Sequence, residues 1–102
     1  VELLVLKFKD KDVDPLGVDP VTTLAIVALN DAFKRYRHDL TITKIGGAHG
    51  PKSYHRFGMA FDFRTWGFPK ASLNGIVGLF KQNMPGWDIV IEKDHGHVEY
   101  DP

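Results

Sequence analysis

The chain is expected to be an α+β domain: a mainly antiparallel sheet with two principal helices. Its segments run strand, helix, two strands, helix, two strands, and the strands are short. Pairs of strands broken by isolated helices, rather than strict alternation, point to that class. At 102 residues there is enough chain for one core and too little for two, so residues 1–102 read as a single domain. Hydrophobic residues at 43% and aromatic residues at 12% support a packed interior over disorder.

Leu3 to Phe8 is a run of β-formers and gives the first strand. Lys9 to Gly17 is a charged loop with Pro15 and Gly17 as turn residues. Asp19 and Pro20 suit a helix start, Asp as N-cap and Pro at the first helical position. Val21, Leu24, Ala25, Ala28, Leu29, Ala32 and Tyr36 then recur at helical spacing, predicting one buried stripe on a helix running to about Arg37. Leu40 to Thr43 is a strand, followed by a loop marked by Gly46, Gly47, Gly50 and Pro51. Met59 to Arg64 is a strand with Met59, Phe61 and Phe63 on one face and Ala60, Asp62 and Arg64 on the other. A second helix starts near Pro69, carries Leu73, Ile76, Val77 and Phe80, is weakened by Gly75 and Gly78, and ends at Pro85 and Gly86. Asp88 to Glu92 and His95 to Tyr100 are the last strands. In the final one His95, His97 and Glu99 share a face, opposite Val98 and Tyr100.

Lys and Arg number 13, Asp and Glu 13, and the formal charge is zero. Binding to nucleic acid or an anionic membrane rests on clustered cations, so neither partner is expected. The basic cluster Lys34, Arg35, Arg37 and His38 falls where the first helix should end, where cations complement the helix dipole. No apolar run approaches the roughly 20 residues that span a bilayer. Glu2 to Leu6 is too short for a signal peptide and lacks a basic leader. Cysteine is absent, which removes disulfides and leaves the compartment open. A monomer is expected.

The chemistry concentrates in Ser53-Tyr54-His55-Arg56-Phe57-Gly58-Met59-Ala60-Phe61-Asp62-Phe63 and in Asp94-His95-Gly96-His97. His55, Asp62 and His97 are two imidazoles and a carboxylate, a set that can hold a divalent metal and leave one position for water. Structural zinc sites are usually closed by four protein ligands, many of them Cys. With no Cys here, a metal would be working rather than bracing. Spacing alone does not bring the three together. His55 and Asp62 meet only if the loop folds back, which Gly58 would permit. His38 and His49 read as surface or hydrogen-bonded residues.

At these residues the chain resembles the zinc D-Ala-D-Ala carboxypeptidase and L-alanyl-D-glutamate endopeptidase family, whose fold is shared with the hedgehog signalling domain. The family pattern is Ser-x-His-x-x-Gly-x-Ala-x-Asp, then a carboxylate three residues before a final His. Ser53, His55, Gly58, Ala60 and Asp62 match the first element, and Asp94 to His97 match the His-x-His form of the second. The ending from His97 to Pro102 is similar to short phage and prophage members. The resemblance is firm from about Leu40 onward and looser over the first helix.

The resemblance implies a hedgehog/DD-peptidase-like fold and a hydrolase of peptide stems in bacterial peptidoglycan that uses one zinc ion. His55, Asp62 and His97 match the zinc ligands. Asp94 matches the general base that deprotonates the attacking water, and His95 the imidazole that steadies the oxyanion. Glu92 lies three before His95; were His95 the ligand, Glu92 would be the base, but the His-x-His form favours His97 with Asp94. Glu99 could orient an imidazole. Ser53 supports the loop or a ligand's surroundings. Many carboxypeptidase members carry an upstream Arg in a Tyr-Arg-Ser segment that grips the substrate carboxylate. Here the region reads Thr43 to His49 without it. Lys44, Lys52 or Arg56 could stand in, and endopeptidase action stays open. Ser53, Arg56 and Lys44 are thus the candidate substrate contacts. Tyr54, Phe57, Trp66 and Phe68 read as packing residues before groove linings, and Arg64-Thr65 as a salt-bridged strand end. A silent metal-binding or structural module of the same fold is the alternative.

Overall fold

A computed structural model describes residues 6–9, 20–45 and 59–101. The elements are β1 (Leu6–Phe8), α1 (Pro20–Arg35), β2 (Leu40–Ile45), β3 (Ala60–Arg64), α2 (Lys70–Asn83), β4 (Trp87–Ile91) and β5 (His95–Tyr100). The strands form one sheet in the order β1-β2-β3-β5-β4. β1 runs parallel to β2, as the crossover through α1 requires, and every other pairing is antiparallel. The α+β class is what the sequence led one to expect.

Both helices lie on the sheet face that carries Phe61, Phe63, Ile89 and Val98. Ala25, Ile26, Leu29 and Phe33 of α1 join Ile76 and Phe80 of α2 in one core with those side chains. Phe33 sits edge-on to Phe63 at 5.6 Å and to Phe68 at 5.3 Å, an arrangement that aromatic quadrupoles favour. Asp62, His95, His97 and Glu99 fall on the opposite face, half-buried.

The stripe expected on α1 needs correcting. Val21 is 43% exposed and Leu24 62%, while Thr22, Ile26 and Phe33 are buried beside Ala25, Leu29 and Ala32. The helix is apolar on more than one side, so helical spacing admits two overlapping faces. Phe33 decides between them because only its face reaches Phe63 and Phe68. The helix also stops earlier, at Arg35. Arg37 takes a left-handed conformation (φ 59°), and the His38 N–H donates back to the Phe33 carbonyl at 3.1 Å, closing the C-terminus. The Asp19 cap lies outside the described residues.

β2 runs two residues past the expected Thr43, and its register slips between Ile42 and Lys44. Ile42 faces Phe63, whereas Lys44 faces Asp62 and Ile45 faces Phe61. Thr43 is the extra residue of a bulge. Strict alternation would put Lys44 on the core side with Ile42. The bulge turns it to the Asp62 side and returns Ile45 to the core.

β4 begins at Trp87, one residue before the expected Asp88, and ends at Ile91. The Glu92 N–H donates to the His95 carbonyl at 2.8 Å, so Lys93 and Asp94 form a tight hairpin tip between β4 and β5. Gly96 lies opposite Phe63 in the ladder, and a Cβ there would occupy the Phe63 ring. That glycine lets the aromatic core ring cross β5. Gly75 similarly admits Tyr36 against α2.

Candidate functional site

β3 and β5 bring Asp62 and His97 together. The two are 35 residues apart in sequence yet directly opposite in the ladder, and His97 Nδ1 lies 2.8 Å from Asp62 Oδ1. On the other side of the ring, His97 Nε2 lies 2.8 Å from Glu99 Oε1. A neutral imidazole has one N–H, so two carboxylate contacts require the imidazolium. The hydrogen bond to Asp62, reinforced by Glu99, outweighs partial burial and raises the His97 pKa from 6.5 to about 9.

His95 stands next along the same face. Its Nδ1 lies 2.8 Å from Asp94 Oδ1, and its Nε2 lies 3.5 Å from Glu92 Oε2. The Asp94 hydrogen bond raises the pKa of His95, with the charges of Asp62 and Glu92 adding to it. The same bond lowers that of Asp94, whose side chain is otherwise largely in water.

Of these groups Asp62, Asp94 and His95 open onto a groove of about 460 Å³, which Lys9, Thr43, Lys44, Arg64 and Trp66 also line. Lys44 is there because of the bulge in β2. Asp94 lines the groove and Glu92 does not. Arg64 corrects an expectation. Among the described residues it has no carboxylate partner, and its guanidinium lies 4.4 Å over the Trp66 ring. Nothing in the residue order foretold it, since the strand-end position looked like an ordinary ion pair. The flanking aromatics divide. Phe68 packs on Phe33 and stacks with His38 at 4.4 Å, whereas Trp66 is 63% exposed on the groove.

Ser53, His55 and Arg56 lie outside the described residues, as do Lys52, Tyr54, Phe57 and His49. Among the described residues, no group of three or more His, Asp or Glu side chains converges to hold a metal. Asp62, His97 and Glu99 form a row rather than a cluster. The donor chemistry of two of them still suits an ion. Asp62 Oδ1 and His97 Nδ1 are adjacent, within the reach of one zinc at the usual bond lengths of about 2.0–2.2 Å. Glu99 on the far nitrogen is the outer carboxylate that commonly orients a metal-bound imidazole. No described helix is long and apolar enough to cross a membrane.

No protein-family model matches the chain, and no curated protein matches it.

Proposed function

We propose that this chain is a small zinc metallopeptidase of the hedgehog/DD-peptidase fold, of the phage-encoded type, that hydrolyses peptide bonds in peptidoglycan stems. One observation carries the proposal: Asp62 and His97, remote in sequence, meet at 2.8 Å on the sheet face opposite the helices, beside a groove. The Ser-x-His-x-x-Gly-x-Ala-x-Asp pattern that ends in Asp62 supplies His55 as the third ligand. Zinc, when bound, lowers the pKa of water to about 7 and polarises a carbonyl.

The rest falls to the side chains. Asp94, held ionised by its bond to His95, takes the proton of the attacking water and passes it to the leaving amine. His95, its proton held by Asp94, faces the groove as a donor toward a developing oxyanion. Glu99 fixes the His97 ring. Asp94 is preferred over Glu92 as base because Asp94 lines the groove.

A silent module of the same fold has one observation in its favour: both His97 nitrogens already have carboxylate partners, so the ring is satisfied with no ion. Digestion of purified peptidoglycan separates the two readings. Zinc-loaded wild type should release new amino groups, and mass spectrometry of the muropeptides identifies the bond cut. Asp94→Ala should lower the rate about 10²–10⁴-fold, the usual share of a general base. Zinc-loaded wild type that releases nothing would leave the silent module standing.

A further inference from the structure

The groove has an imbalance in how its charges are used. Its carboxylates are engaged: Asp62 with His97 and Asp94 with His95. Its cations Lys9, Lys44 and Arg64 have no carboxylate partner among the described residues. Arg64 is the most telling of them. Its Nε is buried and has no hydrogen-bond partner among the described residues, a rarity for a native polar group. The contact with the Trp66 ring restricts the guanidinium, so less freedom is lost when the fork closes on a ligand.

We propose that Arg64, assisted by Lys44 and Lys9, is a carboxylate-binding subsite of this groove, with Trp66 as the flat wall against which the adjoining residue of the ligand lies. A planar carboxylate matches the guanidinium fork. Asp62 and Asp94 in the same groove repel a doubly charged phosphate more than a singly charged carboxylate. That the carboxylate belongs to a peptide rests on the metallopeptidase reading; that the subsite takes a carboxylate does not. The position falls immediately after the Phe63 that follows the first motif. It thus provides a guanidinium that the segment from Thr43 to His49 lacks.

The test uses metal-free protein and two probes, acetyl-D-alanyl-D-alanine and its C-terminal amide. The readout is tryptophan fluorescence, in which exposed Trp66 responds while buried Trp87 gives a steady background. The acid should quench saturably and bind at least tenfold more tightly than the amide. Arg64→Gln should abolish that preference, and Arg64→Lys should restore part of it, with circular dichroism checking that each variant is folded. Equal binding of acid and amide by wild type overturns the subsite with no variant needed, as does no binding of either. A preference unchanged in folded Arg64→Gln also overturns it. The peptidase reading is scored separately. Zinc-loaded protein that hydrolyses stems without an acid preference loses the subsite alone, and an Arg64-dependent preference without hydrolysis loses the peptidase alone.

Discussion

His97 sits between two carboxylates, and the charge it carries is the residue-scale property that most affects behaviour. Its folded pKa of about 9 lies above the ordinary 6.5, so protonation favours the folded state. For the metal-free chain that contribution is fully present below pH 6.5 and is lost as pH climbs through 9. Urea unfolding of chelated protein should therefore show stability falling between pH 7 and pH 9.5. The His97 proton resonance should titrate near 9, and Glu99→Gln should bring the midpoint down toward the ordinary value. A midpoint near 6.5 in wild type would show that the Asp62–His97–Glu99 row does not form in solution.

At the scale of elements, two glycines that look alike in sequence have opposite tasks. Gly78 lies on α2 with open space where a Cβ would be, so it contributes only backbone freedom. Gly78→Ala should stabilise by about 0.5–1 kcal/mol through helix propensity. Gly96 lies on β5 under the Phe63 ring, which is wholly buried and pinned edge-on by Phe33. Gly96→Ala should destabilise by about 1–3 kcal/mol, the usual cost of overpacking. Denaturant midpoints of the two variants should move in opposite directions from wild type. Gly75 and Gly78 both cost α2 backbone freedom, but Gly75 also makes room for Tyr36, so only Gly78 can be replaced without a clash. That distinction depends on a residue 39 positions away along the chain.

For the whole molecule, a bound ion would couple the Asp62–His97 pair to global stability. Zinc at about 100 times its dissociation constant should add about 2.7 kcal/mol. For a domain of this size each kcal/mol raises the melting temperature by about 4–8 °C, so a rise on the order of 10–20 °C over chelated protein is expected. His97→Ala should remove it. Because the ion must displace the proton on His97, the rise should shrink as pH falls from 9 toward 6. Differential scanning calorimetry at pH 8, with zinc and with chelator, checks this. An unchanged melting temperature in zinc would take the metal out of the proposed function.

Residue order alone set out the α+β class, the two helices, the faces of β3 and β5, and the candidate residues themselves. Those are local properties: alternation, helical spacing, and Gly and Pro at turns depend on neighbours a few positions apart. Which face of α1 is buried, where β2 slips by a residue, and why Gly96 must lack a side chain were decided by packing against distant segments. The meeting of Asp62 with His97, the turn of Lys44 to the same side and the unsatisfied nitrogen of Arg64 likewise depend on sheet register. Register is set by which strands pair, and that choice depends on packing across the entire fold rather than along any one stretch of it.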